Sequence, residues 1–301
     1  MDFQGQSILS TEQFDRDSLL DLMKEAEMME EVFKQGGNDI LKGKLMAAVF
    51  FEPSTRTRFS FETAMLRLGG MVVSNPDMMK NSSIKKNETL WDTGKVLSQM
   101  VDVIAMRHPN PGTVAKLAEG SDVPVLNAGD GSNEHPTQGL LDLYTIWKKF
   151  GRFDGLKVAL VGDLKNSRVL HSDADLLKHF DVEFVLVSPE ELALPPKFKD
   201  GISFRETENI HEVIGDLDVI SCNRLQEERF ENPADCQKYR GSFIITTELL
   251  KGAKSDLIIL NPLPRMEELP TDVDDDPRAK YFEQVHNGVI IRMALLKKVL
   301  L

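Results

Sequence analysis

Residues 54–58 read Ser54-Thr55-Arg56-Thr57-Arg58. The run follows an apolar, strand-like stretch over 45–51 and opens a helical pattern that continues to about residue 68. A helix start presents unpaired N–H groups and the positive end of the macrodipole, so it suits an anion. The hydroxyls of Ser54, Thr55 and Thr57 add donors, and two guanidinium groups offer planar forks that meet phosphate oxygens in pairs. The plain alternative is a capped helix with solvated arginines on its first turn. That alternative fits poorly, because arginine near a helix N-terminus opposes the macrodipole. A phosphate-like anion is the expected occupant.

Working outward, strand-like runs recur at 45–51, 71–74, 101–106 and 123–126, with helical patterns between them. A helix is expected to start at a Ser10/Gln13 capping box or an Asp15/Asp17 cap, run to about Gln35, and stop at Gly36-Gly37. Residues 135–150 read as a helix with Pro136 in its first turn, broken by the glycines of 151–155. A second alternation follows, with strands at 157–162, 183–187, 218–222, 243–246 and 257–260, and a closing helix at 288–301. The expected fold class is α/β, with two domains that each carry a mainly parallel sheet flanked by helices. The acidic stretch 272–276 lacks calcium-loop spacing and reads as a solvated loop.

Composition narrows the function. A chain of 301 residues with net charge −12 is a poor general partner for nucleic acid or an anionic membrane. No apolar run reaches membrane-span length, and the polar start at 1–4 is unlike a targeting peptide, so cytoplasmic residence is expected. Cys222 and Cys236 are the only cysteines, which supplies neither a disulfide framework nor a thiolate metal site. An acidic chain with a local arginine cluster points to a small anionic ligand in a focused pocket.

Polar residues gather after the expected strands, where open α/β sheets place their ligands. They are Arg107 and His108; the 127–131 stretch leading to His135-Pro136-Thr137-Gln138; Arg168; Arg224 and Gln226; and Asn261 to Arg265. Each alone reads as a cap or a surface ion pair. Five such groups are expected at one sheet edge, which is harder to dismiss. Residues 158–168 resemble a dinucleotide-binding turn but contain only Gly162, and no Gly-rich run ends in Lys-Ser or Lys-Thr. The six histidines form no metal-ligand spacing, so neither cofactor nor metal is expected.

These residues resemble a known family. Ser54 to Arg58, followed by Phe59-Ser60-Phe61-Glu62, is similar to the carbamoyl-phosphate motif of the carbamoyltransferases, and His135 to Gln138 is similar to their second motif. Residues 86–93, Met106 to Pro109, Gly162 to Lys165, Arg224 to Gln226 and Pro262 to Arg265 resemble the aspartate branch. The ornithine branch instead carries His-Cys-Leu-Pro at the 261–264 position and a Ser-Met-Gly loop that this chain lacks. Charge logic agrees, since Lys86, Arg168 and Arg224 match a dicarboxylate better than an amine side chain.

The resemblance implies transfer of a carbamoyl group from carbamoyl phosphate to the amine of L-aspartate, in de novo pyrimidine biosynthesis. Ser54, Thr55, Arg56 and Thr57 are expected to hold the phosphate. Thr57, Arg107 and His135 are expected to donate to the carbonyl oxygen. Gln138 and the carbonyls of Pro262 and Leu263 would accept from the carbamoyl NH2. Lys86, Arg168, Arg224 and Gln226 would hold aspartate.

The implied domains are 1–134 for carbamoyl phosphate, a connecting helix at 135–150, 151–286 for aspartate, and 287–301 returning to the first domain. The implied assembly is a homotrimer in which Ser82 and Lys86 serve the neighbouring subunit's site. Regulatory chains or a dihydroorotase are candidate further partners, and Glu52, Arg168 and Arg229 are candidate ion-pair partners on domain closure. Asn87, Asn166-Ser167, Glu227 and Asn261 depart from the family pattern; Asn166-Ser167 and Glu227 bear on the acceptor, Asn87 on the mobility of the shared loop, and Asn261 is expected to have a modest effect. Alternative readings are another amine acceptor or a non-catalytic ligand-binding subunit.

Overall fold

The computed structural model describes residues 3–230 and 232–301. The chain forms two compact units, residues 1–144 with 285–301, and residues 145–284.

The first unit begins with a 3-10 turn, Thr11–Gln13, closed by the Ser10/Gln13 capping box. Asp15 then caps α1 (Arg16–Lys34), accepting from the Ser18 amide at 2.8 Å. Both start signals seen in the sequence are therefore used, on two successive elements. There follow β1 (Leu45–Phe50), α2 (Thr55–Arg67), β2 (Met71–Asn75), α3 (Met78–Asn81), α4 (Leu90–Ser98), β3 (Val103–His108), α5 (Thr113–Gly120) and β4 (Val125–Asp130). The sheet is parallel throughout, in the order β2-β1-β3-β4. β1, β3 and β4 are buried almost without interruption, as expected where helices cover both faces. α6 (Pro136–Phe150) carries the chain into the second unit.

The second unit holds β5 (Lys157–Gly162), α7 (Arg168–Leu177), β6 (Glu183–Val187), β7 (Ser203–Thr207), β8 (Val219–Asn223), α8 (Thr247–Leu250) and β9 (Ile258–Leu260), paired in parallel in the order β7-β6-β5-β8-β9. α9 (Tyr281–Leu300) closes the chain and belongs mostly to the first unit. There Lys297 pairs with Glu25 at 2.7 Å, and the Gly5 amide donates to the Val299 carbonyl at 2.9 Å. The C-terminal helix thus returns to the first domain.

Three expectations require correction. Residues 243–246 are not a strand. Phe243 and Ile245 are buried in the second unit's core, so the apolar signal there reports burial rather than pairing. β7 leaves no strand signal in the sequence, because this polar edge strand is exposed along most of its length and shows no apolar alternation. The closing helix starts at Tyr281 rather than at 288, with Gly288 in its interior. The acidic stretch at 272–276 is also more than a solvated loop. Asp274 accepts from Arg265 and from the Tyr281 hydroxyl, and Asp276 pairs with Arg278 at 2.7 Å.

His171 on α7 supplies a stability prediction. Its buried Nε2–H donates to the Leu164 carbonyl at 2.8 Å, and its ring stacks on Phe198 at 4.0 Å between centroids. Burial, opposed by that hydrogen bond, pushes its pKa down from 6.5 to about 4. The unfolded chain therefore takes a proton that the native state refuses. Stability is full above the unfolded value, falls as pH drops toward the folded one, and then levels, a loss of about 3 kcal/mol. The urea midpoint is expected to fall between about pH 7.5 and about pH 4.5, and His171→Gln to flatten that slope.

Candidate active site

In the first unit, sheet register brings the first two motifs side by side. Phe50 pairs with Arg107 across β1 and β3, and the Phe51 amide donates to the Arg107 carbonyl at 2.8 Å. The loop from β1 into α2 therefore begins next to Arg107, and the loop after the neighbouring β4 leads to His135.

Ser54 is the N-cap residue of α2, yet its side chain makes no capping hydrogen bond. Thr55 and Arg56 are exposed, and Thr57 is buried one residue further on. Arg58 is accounted for locally, 3.7 Å from Glu62 and stacked over Phe59. Arg56 instead lies within electrostatic reach of Arg107; partial burial, then that second cation, hold its guanidinium below the ordinary arginine value. Two like charges meet at an uncapped helix start. This is the arrangement an anion relieves.

Arg107 donates through Nε to Glu52 at 2.6 Å, which fixes the plane of its guanidinium. Glu52 thus has a partner inside the first unit. His135 is buried just before α6, and Gln138 donates to Asp142 at 3.0 Å. His108 accepts from the Asn110 amide and packs on Phe51, so its role is structural. Ser82 donates to the Met78 carbonyl at 2.6 Å and caps the 3-10 turn Ser83–Lys86, where Lys86 is exposed. No hydrogen bond or ion pair among the described residues joins either to Arg56 or Arg107. Asn87, where the family favours glycine, has φ 63°. Asparagine tolerates that left-handed region, so the turn survives the exchange.

In the second unit, the remaining residues sit at the C-terminal ends of the adjacent strands β5, β8 and β9. The five groups expected at one sheet edge are thus divided between two sheets. Gly162, at φ 122°, pairs with Asn223, and a Cβ there would lie 2.1 Å from the Asn223 carbonyl oxygen. Glycine is needed there for close strand approach. Arg168 opens α7 behind Ser167, which caps the Leu170 amide at 3.3 Å and receives a hydrogen bond from Asn223.

Buried Asp163 accepts from Asn166 and from the Gln226 amide at 3.1 Å, tying the β5 and β8 loops together. Burial raises its pKa, and the hydrogen bonds from Gln226 and Asn166 oppose the rise. Composition gave no signal of this role for Asp163. Arg224 faces a cleft of about 170 Å³, with both terminal nitrogens on the Glu228 carboxylate at 3.0 and 2.6 Å. A ligand carboxylate must approach the other side of that guanidinium or displace Glu228. Glu227, where a basic residue is usual, pairs with Arg240 at 2.7 Å, so its charge is answered locally. Asn261 accepts from the Leu263 amide at 2.7 Å and donates to Glu268 at 3.0 Å. It thereby pins Leu263 at φ 51°, a backbone region unusual for leucine.

Two family descriptions together match nearly the whole chain. Residues 6–148 match "Aspartate/ornithine carbamoyltransferase, carbamoyl-P binding domain", and residues 154–299 match its "Asp/Orn binding domain". The chain belongs to the aspartate/ornithine carbamoyltransferases. Among relatives, it is 47% identical to an aspartate carbamoyltransferase catalytic subunit of Methanopyrus kandleri, covering 99% of this chain and 98% of the relative. Among solved structures, the Trypanosoma cruzi aspartate transcarbamoylase bound to carbamoyl phosphate and aspartate aligns at TM-score 0.94 with 39% identity, covering 99% of this chain and 98% of that one. The Methanocaldococcus jannaschii catalytic subunit aligns at TM-score 0.90 with 46% identity, covering 98% and 97%. In family terms, Arg56, Thr57, Arg107, His135 and Gln138 fall inside the carbamoyl-phosphate match, and Arg168, Arg224, Gln226, Pro262 and Leu263 inside the amino-acid match.

Proposed function

We propose that this chain transfers the carbamoyl group of carbamoyl phosphate to the amine of L-aspartate, giving N-carbamoyl-L-aspartate and phosphate for pyrimidine synthesis. One observation carries the reading: Arg56 and Arg107 converge at the uncapped start of α2. Ser54, Thr55, Arg56 and Thr57 bind the phosphate. Thr57, Arg107 and His135 donate to the carbonyl oxygen as it becomes an oxyanion. Gln138, with the carbonyls of Pro262 and Leu263, accepts from the NH2 group. Arg168, Arg224, Gln226 and Lys86 hold the two carboxylates of aspartate. The deprotonated amine attacks the carbonyl carbon, a C–N bond forms, and the C–O bond to phosphate breaks. The departing phosphate takes the amine proton. Most of the acceleration comes from positioning two anions and stabilising developing charge.

Incubation with carbamoyl phosphate and L-aspartate is expected to yield carbamoyl-aspartate and inorganic phosphate in equal amounts. Binding of carbamoyl phosphate without turnover of any amine would favour a ligand-binding subunit instead.

The proposed assembly is a cytoplasmic homotrimer that shares Ser82 and Lys86 between neighbours. Exposed apolar side chains on α2 and the edge strand β2, among them Phe59, Leu66, Met71 and Val73, support an interface between copies. Native mass measurement checks it: three chains are expected, a monomer contradicts it, and regulatory chains or a dihydroorotase would register as added mass. No helix among the described residues is long and apolar enough to cross a membrane.

A further inference from the structure

α9 places a guanidinium beneath both carbamoyl-phosphate motifs. Arg292 is 2% exposed; Nη1 donates to the Gly288 carbonyl at 3.0 Å and Nη2 to the Thr137 hydroxyl at 3.1 Å. Its guanidinium lies 4.8 Å from the centroid of the Phe61 ring. Phe61 stands one helical turn after Thr57 on α2, and Thr137 lies between His135 and Gln138 on the other motif. Glycine at 288 makes the space, since a Cβ there would sit 2.7 Å from Nη1.

A cation this deeply buried needs a compensating charge. Asp142 is the carboxylate that attracts it, and Arg107 the cation that opposes it. Asp142 is itself 1% exposed and receives the Gln138 Nε2–H at 3.0 Å. Gln138 thus presents its NH2 to Asp142. The carboxamide oxygen then points away from Asp142, and a carboxamide oxygen can only accept. The Asp142–Gln138 hydrogen bond therefore sets which end of the amide is left for the ligand, and the Arg292 charge acts on Asp142 from α9.

We infer that Arg292 and Asp142 are positioning residues that lock the Gln138 carboxamide with its oxygen toward the donor, so that the site selects an amino group over a methyl group on the donor carbonyl. The inference rests on the proposed role of Gln138 as acceptor of the carbamoyl NH2. Without the lock, Gln138 can rotate and offer its own NH2. That orientation would set donor against donor for carbamoyl phosphate, and would not penalise a methyl group to the same degree.

The test compares dissociation constants of carbamoyl phosphate and of acetyl phosphate, which carries methyl in place of amino. Wild type is expected to prefer carbamoyl phosphate. Asp142→Asn, near-isosteric and able to donate to Gln138, is expected to lower that preference about tenfold. Acetyl phosphate affinity is expected to stay within about twofold, because the phosphate and carbonyl contacts remain. Arg292→Met is expected to act in the same direction, and Arg292→Lys, which keeps the charge, to retain part of the preference. Thermal melting confirms that each variant is folded, and Asp142→Asn decides the matter if Arg292→Met is not. Equal weakening of both ligands, or an unchanged preference in folded Asp142→Asn, would overturn the inference and leave Arg292 as a bolt between helices. A wild-type chain that binds no carbamoyl phosphate would instead overturn the reading of the site.

Discussion

Arg56→Ala is expected to lower turnover by about 10²–10³ or more while leaving the protein folded. The guanidinium stands on the first turn of α2, beside Arg107 and behind an N-cap that forms no side-chain bond. Its removal takes away charge-assisted hydrogen bonds to a phosphate whose charge grows as the C–O bond breaks. The melting temperature of the unliganded variant is expected to lie close to that of wild type, because Arg56 is exposed on the first turn of α2. Steady-state kinetics and calorimetry on the same preparation check both statements. Near-normal turnover, or loss of the fold, contradicts the role assigned to Arg56.

The second large effect concerns the acceptor. Arg168→Ala is expected to lower kcat/KM for aspartate by about 10², the loss of a two-point charged contact with a carboxylate. Arg168 repeats in the second unit the placement of Arg56 in the first, an arginine on the opening turn of the helix that follows a sheet strand. Carbamoyl-phosphate affinity is expected to change by less than about twofold, because the proposed phosphate contacts lie on α2 and β3. An equal loss in donor affinity would show that Arg168 does not discriminate between the substrates. The Ser167 cap at 3.3 Å to Leu170 does not involve the Arg168 side chain, so α7 keeps its start in the variant.

The two sheets were legible because their strands are nearly continuous apolar runs between helical patterns, as at β1 and β5. β7 was not, since an exposed edge strand such as Ser-Phe-Arg-Glu-Thr carries no alternation to read. The residues proposed to touch the ligands announced themselves as arginines, histidine and amide side chains after strands. The groups that orient them did not. Glu52 gives no sign in the sequence that it will meet Arg107, a residue 55 positions away. Asp163 and Arg292 look like ordinary surface charges until burial and partners are known. Departures from the family pattern also become interpretable only in three dimensions. Asn87 occupies a left-handed position, Ser167 caps α7, Asn261 pins Leu263, and Glu227 is paired with Arg240.

Assignment of the acceptor is the central claim, because the residues that depart from the family pattern lie mostly on that side. The most direct test is a competition in which carbamoyl phosphate is offered equimolar L-aspartate, L-ornithine and other amino acids, with products separated by mass. Nearly all of the transferred carbamoyl group is expected on aspartate. A carbamoyl group found mainly on ornithine or another amine would contradict the account.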